Sequence, residues 1–300
     1  MKKSFGHFRP SRVAEIYPAA QSILDSGGTS EREVCRVLGM NRSAFQSWRQ
    51  FEMTPHEKSD EVIAHRVIEI FKQHKRRYGS RRIVQQLRRE DPRTSRRKVS
   101  KTLKNAVLSA IQPRSFKPRT TESMHKLGYN ANLLLELDVP AAIGQLWVGD
   151  ITYVPIRDIG FGYLAVLMDR FSRRIVGWDF RDDMTEQLTL AALRMAIGKM
   201  QPAVGLIHHS DRGGQYAGKR YRGVLKRAAI QQSMSRAGDC YDNAFMESCF
   251  GTIKTELEMT EYNSIAEAET ALAEYLRYYN EERSHSSLGY LSPVQFEAAI

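Results

Sequence analysis

Three acidic residues stand where their carboxylates could share one site. Asp211 follows an apolar run, Val204 to Ile207, that predicts a short strand, and an Arg-Gly-Gly turn comes directly after it. Glu247 lies in a predicted helix, and Asp150 sits inside an apolar, β-branched strand where an unpaired charge would be costly. Converging carboxylates repel one another unless cations lie among them. The three residues therefore predict a site for a hard divalent metal, above all Mg²⁺.

The predicted helix around Glu247 carries polar residues along one face. Its apolar stripe consists of Met246, Cys249, Phe250, Ile253 and Leu257. The opposite, polar face consists of Asn243, Glu247, Gly251, Lys254 and Glu258, at spacings of three and four. Lys254 thus falls two turns from Glu247 on the same face, where an ordinary solvated lysine is one interpretation.

Other polar residues near these acids have simpler interpretations. Asp169 is predicted either to order the end of its strand or to pair with Arg170 or Arg173. Asp242 stands where an N-cap belongs, ahead of Glu247. His208 and His209 lie in a predicted strand, where a packed, hydrogen-bonded histidine is favoured over a metal ligand. The three acids remain the main candidates.

Charge is distributed unevenly along the 300 residues, whose net charge is +11. Residues 1–120 hold 27 Lys and Arg against 11 Asp and Glu, whereas the remainder is slightly acidic. This favours a polyanion-binding region joined to a catalytic body. No apolar run reaches the length of a membrane span, and three cysteines without metal-ligand spacing fit a reducing bacterial cytoplasm.

Residues 1–55 are predicted to form a helix-turn-helix unit. A first helix from about Arg12 ends at Gly27-Gly28. Thr29 or Ser30 caps the second helix, and Glu33 lies three residues after Ser30, as in a capping box. Gly39-Met40 makes the next turn, and Asn41 or Ser43 starts the third helix. A helical protein-contact domain is the alternative, but the charge favours DNA. The predicted outward-facing residues of the third helix are Arg42, Gln46 and Arg49.

Residues 56–111 are predicted to form a second helical unit of the same kind. An amphipathic helix over Val62 to Phe71 precedes a helix with Ile83, and a basic helix from Ser95 follows Asp91-Pro92-Arg93. The predicted DNA-contact residues of the basic helix are Arg96, Arg97, Lys98 and Lys101, with Lys104 nearby.

A polar linker, 112–139, leads to a predicted catalytic core, 140–258, and a helical tail, 259–300. In the tail, residues Ile265 to Tyr279 are predicted to form a helix that covers the core as a structural lid. A polar loop is predicted to follow this helix. DNA contact by Arg283 or His285 in that loop is the less favoured interpretation. The elements predicted for the core are strands 146–156, 162–169, 173–180, 204–209 and 230–235 and helices 185–200, 217–229 and 242–258. This order indicates an α/β domain preceded by all-α units.

Six ordered motifs resemble a known family. They are WxxDITY from Trp147, FSRRIVGW from Phe171, HSDRGGQY from His209, SMSRxGxCYDNA from Ser233, ESxFGTxK from Glu247 and HSSLGYxSP from His285. In these motifs the chain is similar to DDE transposases of bacterial insertion sequences, specifically the B-frame product of the insertion-sequence-three family, and to retroviral integrases. The 35 residues between Asp211 and Glu247 match the interval typical of both.

The resemblance implies an RNase H-like fold, a mixed sheet flanked by helices, in which the first and fourth strands bring Asp150 next to Asp211. It implies two Mg²⁺ or Mn²⁺ ions on Asp150, Asp211 and Glu247, Lys254 as a contact to the DNA end, and His209 and Asn243 as supporting residues. The RYGxRRI motif at Arg77 to Ile83 resembles the second helical unit of these enzymes. Asp91-Pro92-Arg93 departs from the family's glycine turn, and Asn130 to Gln145 departs from its shorter approach to the core.

The implied reaction is 3′-end cleavage of element DNA and strand transfer to new DNA. Two metals about 3.5–4 Å apart can activate the attacking oxygen and hold the charge of the leaving oxygen without a protein nucleophile. The implied partners are double-stranded DNA, namely terminal inverted repeats and target, further copies of this chain on paired ends, and a companion A-frame helix-turn-helix protein. A DNA-binding regulator with an inactive nuclease fold, or a nuclease of the RNase H or junction-resolving type, remains the alternative.

Overall fold

The computed structural model describes residues 10–50, 55–112, 128–135, 139–236, 244–259 and 261–300. The chain divides into two compact units, residues 1–66 and 67–300. The predicted segment boundaries at 55, 111, 139 and 258 remain predictions. Within the described part of the chain, no helix is long and apolar enough to cross a membrane.

In its described residues, the first unit contains the helices α1 (Pro10–Asp25), α2 (Glu31–Val37) and α3 (Arg42–Arg49) and the beginning of a fourth helix. Ser30 and Asn41 cap α2 and α3, since each side-chain oxygen accepts a hydrogen bond from the backbone N–H three residues on. Between α1 and α2 the chain turns at Gly27 and Gly28, whose φ angles are +77° and +92°. The core of this unit is formed by Ala20, Val34, Cys35 and Phe45. The helix-turn-helix prediction is consistent with this arrangement.

Three more helices follow: α4 (Pro55–Gln73), α5 (Ser80–Arg88) and α6 (Arg96–Asn105). The boundary between the two compact units falls within α4. The apolar stripe predicted for these helices was wrong at its ends, because Val62 and Val107 are 69% and 89% exposed and α6 stops before Val107. The buried residues include Val67, Ile70, Phe71, Ile83, Val84, Leu87 and Val99.

A mixed five-stranded sheet forms the centre of the second unit. Its strands are β1 (Leu146–Ile156), β2 (Gly160–Asp169), β3 (Ile175–Arg181), β4 (Ile207–Ser210) and β5 (Gln231–Met234), in the order β3-β2-β1-β4-β5. Strand β2 pairs antiparallel with both β1 and β3, whereas β4 and β5 run parallel to β1. The first and fourth strands are therefore neighbours, as the resemblance implied. Strand β4 starts three residues later than predicted, because Gly205 has a φ of +95° and Val204 is 85% exposed.

One face of the sheet is covered by α7 (Glu186–Met200), α8 (Gly214–Ala217) and α9 (Lys219–Arg227). Helix α7 approaches β3 so closely at Gly177 that a side chain there would meet the carbonyl oxygen of Ala192. A single helix over 217–229 was predicted, but the structure breaks it at Gly218. The carboxylate of Glu186 fills the space beside Gly218 and accepts a hydrogen bond from the Tyr221 amide at 3.1 Å, where α9 begins.

The last three helices are α10 (Ala244–Glu256), α11 (Ile265–Glu281) and α12 (Pro293–Ala298). The apolar stripe predicted for α11 is confirmed, since Ala268, Leu272, Tyr275, Leu276 and Tyr279 are all buried. The prediction of a polar loop after α11 was wrong in one respect. Arg283 and His285 are buried in it, at 6% and 8% exposure, because both side chains pack into a polar network described below.

Candidate active site

Asp150 and Asp211 meet at the junction of β1 and β4. Strand pairing places Gly149 opposite Ser210, so the two acids that follow are also neighbours. Both line one cavity of about 300 Å³, together with Tyr153, Met184, Glu186 and Gln215 among others. The structure thus brings two of the three predicted carboxylates together; their catalytic role remains a prediction.

Short local hydrogen bonds orient the two carboxylates. Asp150 Oδ1 accepts from the Ile151 amide at 2.8 Å, and Asp211 Oδ1 accepts from the Gly213 amide at 2.9 Å. Their shared negative charge reaches Tyr153, whose pKa is raised first by burial, then by Tyr163, and further by both aspartates. The cavity is therefore an electronegative pocket with oriented oxygen donors.

The donor set at this cavity suits a hard divalent cation. Carboxylate oxygens and water are the ligands that Mg²⁺ prefers, and the cavity is open enough to admit water beside Asp150 and Asp211. Glu186 is a third acid in the cavity, but one of its oxygens is engaged by the start of α9. Asp150 and Asp211 are accordingly the residues that would hold an ion. Sequence reasoning missed Glu186, since an acid in the first turn of a helix is ordinary there.

Glu247 lies outside this cavity. Its side chain is exposed on the first turn of α10, and it is absent from the residues that line the pocket. Within the described ranges, no group of three or more His, Cys, Asp or Glu side chains is placed to hold a metal ion. Asn243, predicted to support the site, lies outside the described residues.

Lys254 lies within electrostatic range of Asp150. It is half-buried on α10, a helix that packs beside β1. Burial lowers the pKa of the Lys254 ammonium, and the charge of Asp150 partly offsets this by raising it. The cation is therefore near the carboxylate pair, whereas Glu247, two turns earlier on the same helix, is exposed.

Known protein families match the chain in three regions. A family model described as an integrase core domain matches residues 140–240, a second integrase core domain model matches residues 228–293, and an HTH-like domain model matches residues 57–116. These regions contain the mixed sheet, the C-terminal helices and the helices α4 to α6, respectively.

Named relatives extend the match over most of the chain. A 31 kDa protein of insertion element IS600 from Shigella sonnei is 38% identical over 265 residues, covering 88% of this chain and 97% of the relative. The transposase of IS904 from Lactococcus lactis is 37% identical, with 79% and 94% covered, and transposase InsF of IS3A from Escherichia coli is 36% identical, with 89% and 94% covered. The chain belongs to the transposases of IS3-family insertion sequences. It is an enzyme of the DDE, polynucleotidyl-transferase type.

The transposase core has the RNase H-like fold that the sequence predicted. Among solved structures, the catalytic core domain of HTLV-2 integrase in complex with magnesium aligns with 51% of this chain and 96% of its own, at 17% identity and a TM-score of 0.42.

Both strand histidines of the transposase are buried and hydrogen-bonded. His208 Nε2 lies 2.7 Å from the Tyr221 hydroxyl, and burial lowers the pKa of His208 to about 4. His209 contacts Ser233 Oγ through Nδ1 at 2.8 Å and Ser235 Oγ through Nε2 at 3.0 Å. The prediction of packed histidines is confirmed. His209 ties β4 to β5 and so steadies the strand that precedes Asp211; that supporting role remains a prediction.

Replacing Gly149 with alanine should disturb the packing that supports the candidate active site. A Cβ at this position would lie 2.8 Å from Cε1 of His208, whose ring is held by Tyr221. We expect the free energy of unfolding to fall by about 1–3 kcal/mol, as overpacking does, and cleavage to weaken because Asp150 is the next residue. Urea titration and a cleavage assay measure both effects.

Gly251→Ala is the matched control for that substitution. Nothing lies within 4 Å of a Cβ at this position on α10, so alanine should stabilise the helix by about 0.5–1 kcal/mol. Equal stability of the Gly149→Ala variant and the wild type would show that His208 moves aside freely.

The RYGSRRI motif of the transposase packs against the C-terminal helices. The Arg77 guanidinium lies over the rings of Tyr275 and Tyr278, with its carbon 4.9 and 4.6 Å from their centroids. The Tyr78 hydroxyl donates to the Glu282 carbonyl oxygen at 3.1 Å and accepts from the Ser284 amide at 2.7 Å. The motif thus attaches the second helical unit to the catalytic body. Sequence reasoning quoted the motif but missed this role.

Buried Glu256 is the centre of that attachment. Its carboxylate accepts hydrogen bonds from Arg82 at 3.0 Å, from Arg283 at 2.8 to 3.1 Å and from the Tyr275 hydroxyl at 3.0 Å. Burial raises the pKa of Glu256, but Arg283 and Arg82 outweigh it and the net shift is downward. Because Glu256 is the last residue of α10, the helix that carries Glu247 is fixed to α5 and α11.

The predicted DNA-contact residues fall into two different surroundings. On α6, Arg96, Arg97 and Lys101 are exposed and Lys98 is partly buried. On α3, Arg42 and Arg49 both pair with Glu31, at 2.9 and 3.0 Å. Glu31 therefore neutralises part of the positive charge of α3, which sequence reasoning did not anticipate.

Proposed function

We propose that the transposase binds the terminal inverted repeats of its insertion sequence, cleaves their 3′ ends and joins them to target DNA. The observation that carries this proposal is the pairing of Asp150 and Asp211 on adjacent parallel strands at one open cavity. When bound, two Mg²⁺ or Mn²⁺ ions would activate the attacking water or 3′-hydroxyl and stabilise charge on the leaving oxygen. The chain itself supplies the carboxylates and orients the DNA.

Glu247 completes the carboxylate set in this proposal. It is exposed on α10, and α10 packs beside β1, the strand of Asp150. Glu247 could join Asp150 and Asp211 there if a cation offset the mutual repulsion of the carboxylates. His209, which contacts Ser233 and Ser235 of the neighbouring strand segment, supports the site in this proposal, as does Asn243.

Lys254 contacts DNA in this proposal. It shares a helix with Glu247 and interacts electrostatically with Asp150, so its positive charge acts on the same site. A cation beside metal ions is tolerated where a phosphate lies between them. Lys254 would thus hold the phosphate next to the scissile bond.

The helical units supply most of the DNA affinity. Arg96, Arg97 and Lys101 of α6 are exposed, Lys98 is partly buried beside them, and all four have the charge to contact phosphates. Arg42 and Arg49, in the other compact unit, contribute less because both pair with Glu31. The enzyme would act as a multimer on paired ends, with a companion A-frame protein as a further partner.

Removing three positive charges from α6 should weaken DNA binding in a salt-dependent way. The variant is Arg96→Gln/Arg97→Gln/Lys101→Gln. We expect the slope of log affinity against log salt concentration to become less steep by about 0.9 for each phosphate that α6 no longer neutralises. The Arg42→Gln/Arg49→Gln variant should lose less, since Glu31 already neutralises part of that charge. Fluorescence anisotropy with a labelled end duplex measures both slopes. A larger loss in the α3 variant would reverse the ranking.

The proposed reaction is tested by incubating the full chain with Mg²⁺, a duplex that carries the element end and a supercoiled target plasmid. Specific 3′ cleavage and joined products support transposition. Specific binding without cleavage would indicate a regulator, and cleavage of unrelated duplexes or RNA–DNA hybrids without joining would indicate a general nuclease.

A further inference from the structure

A second cavity lies on another face of α10. Its volume is about 380 Å³, and α10 contributes Phe245, Ser248 and Thr252 to its wall. At 3.6 residues per turn these residues project from a different side of the helix than Glu247 and Lys254. The cavity is therefore separate from the pocket of the two aspartates.

Positive charge is in excess at this second cavity. Its lining includes Arg82, Arg173 and Arg283 and, among the described residues, no Asp or Glu. Arg82 and Arg283 share the carboxylate of Glu256, which lies behind them. The hydroxyls of Ser248, Thr252, Ser286 and Ser287 add neutral hydrogen-bonding groups.

Arg170 and Arg173 stand out because both lie over the same ring. The guanidinium carbon of Arg173 is 4.3 Å from the Phe245 centroid, and that of Arg170 also lies over this ring. Within the described ranges no carboxylate lies within 4.0 Å of either guanidinium, whereas Arg174 in the same turn pairs with Glu297. Burial lowers the pKa of both arginines, and the charge of Arg173 contributes to lowering that of Arg170 to about 10.

The turn that carries these arginines is rigid. Fully buried Asp169 accepts hydrogen bonds from the amides of Phe171 and Ser172 at 3.0 Å and from Gly144 at 2.8 Å. Arg173 adopts a φ of +62°, a conformation that costs free energy in a residue with a side chain. The backbone therefore presents two like charges, partly buried and close together, in a fixed arrangement.

We propose that Arg170, Arg173 and the edge of the second cavity bind a phosphodiester group of one DNA strand. A phosphate supplies the missing negative charge, accepts the paired N–H donors of a guanidinium, and fits beside the hydroxyls of Ser248 and Thr252. The inference rests on the proposed function and adds a DNA-binding site on the side of α10 away from Glu247. Because Phe245 is two residues before Glu247, a strand bound there would also fix the first turn of α10.

The test compares two double variants of the full chain. Arg170→Gln/Arg173→Gln removes the proposed phosphate ligands, and Arg157→Gln/Arg277→Gln removes two exposed arginines elsewhere on the same unit with the same change in net charge. Affinity for a labelled end duplex is measured by anisotropy over a salt series. We expect the first variant alone to flatten the salt dependence by about 0.9 to 1.8, because one or two phosphates are then no longer neutralised by the protein.

Two further arms complete the design. The Arg170→Lys/Arg173→Lys variant retains the charges but not the guanidinium geometry, so we expect it to keep the wild-type salt dependence and to bind with lower affinity. If the glutamine double variant unfolds at a lower temperature than its control, the lysine double variant replaces it in the comparison. Joining of pre-cleaved ends to a plasmid shows which DNA supplies the phosphate. A variant with reduced affinity for the end duplex assigns the phosphate to the element end. A variant with normal end binding but reduced joining assigns it to the target DNA.

The outcomes separate this inference from the proposed function. Unchanged end binding and joining in both the glutamine and the lysine pairs, with an active wild type, would overturn the phosphate site and leave the transposase function intact. A wild type that neither binds nor cleaves end DNA would overturn the proposed function itself.

Discussion

An Asp150→Asn variant of the transposase should bind end DNA normally and fail to cleave it. Asparagine keeps the shape of the side chain on β1 but removes the charge that, with Asp211, makes the cavity attractive to a divalent cation. Even outer partners of metal sites cost about 10–100-fold when removed, so loss of a direct ligand should exceed that. Cleavage of a labelled end duplex in Mg²⁺ and its binding by anisotropy are the two measurements.

Asp211→Asn should behave in the same way, and the double variant should lose no more than either single one, since both carboxylates act on one centre. Glu247→Gln is the sharper case, because Glu247 is exposed and outside the cavity. If it also loses cleavage, α10 must bring Glu247 in during the reaction. Wild-type cleavage by any of these variants would remove that residue from the site.

Lys254→Gln provides the contrast. If Lys254 positions a phosphate, the cleavage activity of the Lys254→Gln variant should be partly restored at high DNA concentration. The cleavage activity of the Asp150→Asn variant should not be restored in this way. Calorimetric titration with Mg²⁺ should give unchanged binding for Lys254→Gln and weakened binding for Asp150→Asn. Loss of metal binding, or unchanged activity at low DNA, would show that Lys254 is an ordinary lysine of the surface.

A Glu256→Ala variant should be the most unstable of the substitutions considered. It leaves the buried guanidinium of Arg283 and the partly buried one of Arg82 without a counter-charge. Removal of one partner of a buried ion pair costs about 3–5 kcal/mol, which is a large fraction of a domain's stability. We expect a corresponding fall in the free energy of unfolding in urea, with weakened cleavage because α10 loses its anchor.

Glu261→Ala is the control for Glu256→Ala. Its partner Arg157 lies 3.4 Å away and both side chains are more than half exposed, so its removal should change stability by about 1 kcal/mol or less. Equal effects of the two substitutions would mean that the Glu256 network contributes no more than a surface pair. Glu256→Gln, which keeps hydrogen-bonding capacity but not charge, should fall between the control and Glu256→Ala.

Much of the molecule follows from local patterns in the sequence. The strands of the core and the buried stripe of α11 were readable, because burial depends on residues close together in the chain. The starts of α2 and α3 were each narrowed to two candidate caps, of which the structure uses Ser30 and Asn41. Asp150 was found because a charge inside an apolar strand is costly without a partner, whereas Asp211 and Glu247 were found from a strand end and a helix face. The adjacency of β1 and β4 came from the ordered motifs and the family they resemble, since spacing alone does not order strands.

Tertiary structure decided what lies far apart in sequence. Tyr78 contacts the chain after α11, and Arg82 and Arg283 both bind Glu256. These contacts join residues up to about two hundred positions apart, and neither residue type nor spacing predicts such pairs. The same holds for the break at Gly218, where a distant carboxylate starts a new helix. Hydrophobic periodicity determines which face of an element is buried, but only packing determines which polar groups meet. For that reason the sequence identified the acids of this transposase, while the structure located two of them in one cavity and left Glu247 exposed on α10.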